Sequence, residues 1–233
     1  MSVNKIKSEL RTLSDPKREK FLPSFFKTGK GEYGEGDKFI GVSVPNIRKI
    51  ANRFKEIEEK AIKELLYSPW HEERFCGWVI VLDRYKKSGE KKYWYEFSLK
   101  HITQLNNWDL VDIVTPNLFG DYLLNKSERQ LITWSKSDSL WVRRIGIIAT
   151  WPRIKESRFT TTLKIAEKYL EDSEDLIHKA TGWMLRELGK RDEKELLKFI
   201  NKHHQDMPRI MLSYALEKIP KEKKDKYRKI NNR

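Results

Sequence analysis

Four positions on this chain fall at a nearly fixed interval. Gly77, Asp112, Gly146 and Gly182 are separated by 35, 34 and 36 residues. Each lies in a short apolar stretch: Phe75-Cys76-Gly77-Trp78-Val79-Ile80, Val111-Asp112-Ile113-Val114, Ile145-Gly146-Ile147-Ile148 and Thr181-Gly182-Trp183-Met184-Leu185. A period of this size marks stacked supersecondary units, each hiding its apolar face only against its neighbours. The period predicts that equivalent residues sit side by side on one surface.

Apolar spacing within the units is helical. Val44, Ile47, Ile50, Ala51 and Phe54 share one face, with Ser43 as the expected cap and Pro45 in the first turn. Long helices are expected over 73–85, 140–148, 163–170 and 176–188, with shorter partners over 61–66, 93–99, 128–134 and 194–200. Turn residues separate them at Ser68-Pro69, Ser88-Gly89, Asp138-Ser139, Asp172-Ser173 and Gly189-Lys190. Pro116 should end or kink the helix beginning near Trp108. No alternating strand with a hairpin signal is present. The expected fold is all-α: an α-solenoid of HEAT-like helical repeats with a concave basic groove, one domain over 1–233. A basic C-terminal tail spans about 218–233, where eight Lys or Arg meet two acids. It reads as a solvated tail or as an electrostatic arm.

The formal net charge of +14 favours polyanionic partners, because Lys and Arg that neutralise phosphates release condensed counterions. Cys76, the single cysteine, lies in an apolar run and reads as a small core residue. No internal disulfide can form, which fits a reducing cytoplasm. The first 13 residues lack the apolar segment of a signal peptide, and no apolar run is long enough to span a membrane. The five histidines do not assemble a metal site: His203 and His204 are adjacent and point apart on a helix. No metal or cofactor is expected.

Gly29, Gly31, Gly34 and Gly36 place four of 11 glycines within eight residues. They satisfy G-x-G-x-x-G only formally, since no apolar strand precedes them and glutamates lie inside; a turned loop is the better reading.

Trp108 and Asp112 are four apart and share a helical face. Two readings stand: a core indole with a solvated or paired carboxylate, or a site. An acid at a point occupied by glycine in the other units favours the site. Asp109 lies one step round and suits the first turn. Trp141, Arg143 and Arg144 open the next long helix, and spacing does not decide which arginine faces Asp112. Trp183 follows the fourth point and reads either as packing or as part of the same site.

At these residues the chain resembles the AlkD-type DNA alkylation repair glycosylases over roughly 16–219. The matching segments are Phe25-Phe26-Lys27-Thr28-Gly29, Gly34-Glu35-Gly36-Asp37-Lys38-Phe39, Trp108-Asp109-Leu110-Val111-Asp112, Leu118-Phe119-Gly120-Asp121, Trp141-Val142-Arg143-Arg144 and Gly182-Trp183-Met184-Leu185-Arg186-Glu187. The resemblance implies a monofunctional glycosylase that cleaves the N-glycosidic bond of N3- or N7-alkylated purines in duplex DNA, with the base left largely stacked. Carried over by position, it implies Asp112 as catalytic carboxylate, Trp108 and Trp183 as sugar-facing aromatics, and Arg144 as the arginine beside them. Arg143, Lys179, Arg186 and Lys27 are the cations expected on the DNA. Phe26 stands where the family tends to carry a tyrosine. The partner is double-stranded DNA containing alkylated purines, the protein a monomer without a membrane, cytoplasmic and associated with the nucleoid through DNA. The alternative is a non-catalytic helical scaffold for nucleic acid or protein.

Overall fold

The structure, a computed structural model, describes residues 2–228 of the 233. The chain divides into two compact units, Met1–Val114 and Thr115–Arg233. The first holds α1 (Val3–Thr12), α2 (Pro16–Phe25), α3 (Val44–Arg53), α4 (Glu59–Leu66), α5 (His71–Lys87), α6 (Lys91–Lys100), a 3-10 turn (Ile102–Gln104) and α7 (Trp108–Val114). The second opens with a π-helical segment (Thr115–Gly120), followed by α8 (Asp121–Leu123), α9 (Arg129–Trp134), α10 (Leu140–Ile148), α11 (Trp151–Lys155) and α12 (Thr160–Lys168). A 3-10 turn (Tyr169–Glu171), α13 (Asp175–Gly189), α14 (Glu193–His203), α15 (Arg209–Ala215) and α16 (Lys221–Arg228) complete it. Among the described residues, β structure is limited to one parallel bridge, between Lys38 and Trp70. The fold is an all-helical, repeat-like succession of helix pairs, as the periodicity predicts.

Each unit is built on a buried central helix. In the first it is α5, which touches α1, α3, α4, α6 and α7 and carries buried Phe75, Cys76, Trp78, Ile80, Val81 and Tyr85. Burial and the nearby Glu73 charge push the Cys76 thiol up to about 12, so it is an inert core residue, as expected. In the second unit α13 touches α10, α11, α12, α14 and α15 around Ile177, Ala180, Met184, Leu185 and Leu188.

The interval of about 35 residues is not one repeated packing position. Gly77 lies against α4, where an added Cβ would meet Leu66 Cδ2 at 2.9 Å. Gly146 lies against the preceding helix α9, with Ser135 N at 2.9 Å. Gly182 faces α15 instead, two helices on, with Met211 O and Tyr214 Cβ both at 2.6 Å. Asp112 is half-buried and meets a cavity. The glycines are therefore sites of close helix approach, each against its own neighbour.

Four local expectations are refined. Ser43 has extended cap dihedrals (φ −71, ψ 145), yet its hydroxyl makes no cap bond. Pro45 occupies one of the two positions whose N–H a cap would accept, and it has none. The α-helix that begins at Trp108 ends at Val114, two residues before Pro116, as expected, but the chain stays helical. The backbone widens to π geometry over Thr115–Gly120, which relieves the proline ring's conflict with the carbonyl four residues back. The helix expected over 163–170 ends at Lys168 and tightens to 3-10. In the C-terminal segment, residues 221–228 form α16, which docks on α14 as the Tyr227 hydroxyl donates to Asn201 Oδ1 at 2.7 Å. Residues 229–233 of that segment lie outside the described residues.

Candidate active site

The first unit brings together Phe26, Trp108 and Asp112. A buried cluster of Leu22, Phe26 and Phe39 packs against half-buried Trp108. Phe26 stacks on Phe39 (centroids 4.9 Å, 15°) and on Trp108 (5.3 Å, 21°), while Phe25 meets Trp108 edge-on at 5.9 Å. These rings line a cavity of about 320 Å³ whose wall includes Trp108, Asp109 and Asp112, all from α7. Phe75, Ile47 and Val42 add apolar wall, and Arg18 and Arg48 add positive charge. Asp112 thus stands in the same recess as the Trp108 indole, one helical turn away.

What fixes α7 is a buried charged turn that sequence reasoning passed over. His71, Glu72, Glu73 and Arg74 open α5 with exposures of 3%, 2%, 1% and 3%. Each side chain is committed. Glu72 accepts the backbone N–H groups of Ile40 (2.9 Å), Gly41 (2.8 Å) and Val42 (3.2 Å). Glu73 accepts from Ser68 Oγ (2.7 Å) and Arg11 Nη1 (2.6 Å). Arg74 donates to Ser68 O (3.0 Å) and Asp37 Oδ1 (2.7 Å). His71 Nδ1 lies 3.0 Å from Asp37 Oδ2, and Nε2 lies 2.8 Å from Asp109 Oδ2. Burial alone would lower the imidazole pKa; the Asp109 and Asp37 carboxylates outweigh it and raise the value to about 9. Burial likewise acts to raise Asp37, but the His71 hydrogen bond and the Arg74 charge hold its carboxyl below the ordinary value. The signal for this cluster was in the sequence: four consecutive polar residues open the longest helix of the unit.

The glycine-rich loop exists to deliver Asp37. Gly34 passes so close to α2 that a Cβ would meet Phe26 O at 2.4 Å, and Gly31 and Gly36 hold positive φ of 79° and 78°. The Gly29 and Gly31 amides are taken by Glu32 (2.9 Å) and Glu35 (2.8 Å). Those carboxylates occupy the donors a phosphate would need, so the loop is a turn, as read. Lys27, exposed at φ 51°, makes the bend from α2 into it.

The second unit carries the remaining candidates. Arg143 is committed to structure: Nε donates to Asp172 Oδ2 at 2.9 Å, and Nη1 to the Ser137 (3.1 Å) and Asp138 (2.9 Å) carbonyls. Arg144 is 5% exposed, and its Nη1 donates to the Leu176 carbonyl in the first turn of α13. Trp183 is half-buried on the same helix, beside the close approach at Gly182. Lys179 is half-buried on α13, and Arg186 pairs with Glu217 and lies 3.5 Å from Glu187. No described helix is long and apolar enough to cross a membrane.

The recess thus sets a carboxylate and an indole on one helix of a strongly basic, all-helical, repeat-like chain. The chain belongs to the DNA alkylation repair enzyme family, whose model matches residues 6–219. DNA alkylation repair is accordingly its role, with DNA as the substrate. Its fold is similar to that of a predicted DNA alkylation repair enzyme from Enterococcus faecalis, with a TM-score of 0.68 over 89% of this chain and 97% of that one. Identity is 13%, so that likeness concerns the fold alone. None of the curated proteins compared with the chain matches it.

Proposed function

We propose that the chain is a monofunctional DNA glycosylase that hydrolyses the N-glycosidic bond of cationic N3- or N7-alkylated purines in duplex DNA. The observation that carries this reading is the shared recess of Trp108 and Asp112, an acidic and aromatic position on a chain of net charge +14.

An alkylated purine already bears positive charge. As its bond to C1′ breaks, the electron pair goes to the purine nitrogen and neutralises the ring, so no strong general acid is needed. Positive charge grows instead on the deoxyribose. The Asp112 carboxylate stabilises that charge and accepts a proton from the water that adds to C1′. Indole faces from Trp108 and Trp183 add cation–π attraction, each about 0.5–2 kcal/mol. Arg144, which holds the start of α13, sets its guanidinium charge beside a phosphate next to the lesion. Lys27 and Lys179 supplement this along the backbone, whereas Arg143 and Arg186 are held by Asp172 and Glu217, and the base need not leave the stack. No metal or organic cofactor enters the reaction.

The test is release of 7-methylguanine from duplex DNA. Asp112→Asn should slow release by about 10²–10³-fold, the usual cost of removing one well-placed electrostatic group. Wild-type release no faster than that of Asp112→Asn sinks the reading. The scaffold alternative predicts salt-dependent binding that ignores alkylation, with affinity unchanged or raised by the same substitution.

A further inference from the structure

His71 joins the elements that hold Trp108 and Asp112. Its backbone N–H donates to Lys38 O at 2.8 Å, which sets the turn after the glycine loop. Its ring packs beside both Phe26 (4.9 Å) and Phe39 (4.8 Å), the stacked pair that also supports Trp108. Its two nitrogens reach opposite ways, to Asp37 of the loop and to Asp109, the second residue of α7. Carboxylates only accept, so an imidazole that binds two of them must donate from both nitrogens and carry a proton on each.

We propose that His71 is the positioning residue of the candidate site: as an imidazolium it clamps the first turn of α7 to the glycine loop and so sets where Trp108 and Asp112 stand. The charges facing it come from every neighbouring element. Asp37 approaches from the loop, Asp109 from α7 and Arg74 from its own helix, with Nη2 3.5 Å from Nδ1. Glu72 is turned to the backbone at 40–42, and Arg18, Arg48 and Asp112 share the cavity wall. With Arg74 the clamp is neutral overall, two anions against two cations. Loss of the ring proton leaves three charges and removes one donor, so one carboxylate loses its bond to the imidazole. The value of about 9 places that loss at alkaline pH.

The catalytic consequence rests on the glycosylase reading; the clamp does not, and the experiment separates them. Histidine-labelled protein is followed by ¹⁵N NMR while the Trp108 indole N–H, assigned with Trp108→Phe, is followed through the same titration. His71 should carry protons on both nitrogens at pH 7, and the Trp108 signal should shift with the midpoint of His71. Single-turnover base release, corrected for a protein-free blank, should fall about tenfold per pH unit above that midpoint.

Asp37→Asn is the informative variant. A neutral His71 can then donate to Asp109 and accept from the introduced side-chain amide, while the amide oxygen still accepts from Arg74. Base release and the Trp108 signal should become insensitive to alkaline pH in this variant. A neutral His71 at pH 7, a Trp108 signal indifferent to His71 titration, or the same alkaline loss in Asp37→Asn overturns the clamp. Absence of base release at every pH overturns the glycosylase reading alone, since both NMR signals still decide the clamp.

Discussion

Phe26 lies nearly parallel to Trp108, with ring centroids 5.3 Å apart and planes 21° from alignment. One face of the indole is thereby supported by a buried ring that itself rests on Phe39. The contact explains why a residue without a hydroxyl serves here: it acts by stacking, which a phenyl ring does as well as a phenol. Phe26→Leu should keep the cluster apolar while removing the stacked face. We expect a stability loss of about 1–2 kcal/mol by denaturant unfolding, from the lost aromatic contacts. Base release should slow at saturating DNA with little change in KM. An unchanged kcat would show that the support is dispensable.

The His71 clamp links stability to pH in a defined direction. The imidazole has an ordinary value of 6.5 and a folded-state value of about 9. A raised value means the folded protein holds the proton more tightly. The stabilisation is complete below pH 6.5 and is lost as pH rises through about 9. Its full size is about 3 kcal/mol. Urea unfolding of wild type and His71→Gln at pH 6 and pH 10 should show a gap that narrows at the higher pH. A constant gap would mean that His71 acts by packing alone.

Glu72 offers a sharper stability test. Its carboxylate accepts three backbone N–H groups, and it is 2% exposed. Glu72→Gln retains one oxygen for Gly41 and Val42 but turns an amide N–H₂ toward the Ile40 N–H. An unpaired buried donor costs about 1–3 kcal/mol, and the lost charge assistance adds to it. A drop of roughly 3 kcal/mol in unfolding free energy is expected, together with faster amide exchange at residues 40–42. Wild-type exchange there would contradict the assignment.

Gly182→Ala should separate α13 from α15. Its new Cβ would lie 2.6 Å from both Met211 O and Tyr214 Cβ. Backbone must move, at a cost of about 1–3 kcal/mol, and Trp183 moves with it. Gly89→Ala is the control, since nothing lies within 4 Å of that Cβ. A melting temperature lowered in both variants, or in neither, would remove the packing account.

Helix positions were legible because burial imposes a 3.6-residue period on any helix with one apolar face. The sequence readings of α3, α4, α6 and α10 match the observed helices to within two residues, and those of α5 and α13 fall inside them. Trp108 and Asp112 could be paired from their spacing alone, since residues four apart share a face wherever the helix lies. The equivalence of Gly77, Gly146 and Gly182 could not be judged in this way. A glycine signals that something comes close, not which helix does, and Gly182 turned out to face α15, two helices further on, rather than the one before.

The chain by itself determined the helical class, the alternation of long and short helices, the strongly basic balance and the turned nature of the glycine loop. These follow from local periodicity, composition and backbone freedom, which any stretch of residues carries with it. Only the tertiary structure decided that Asp37 and Asp109, 34 and 38 residues from His71 in sequence, meet its two ring nitrogens in one buried cluster. It also decided that Arg143 is spent on Asp172. Charge pairing across such separations depends on which helices pack together and on the low polarity they create. No local pattern encodes either.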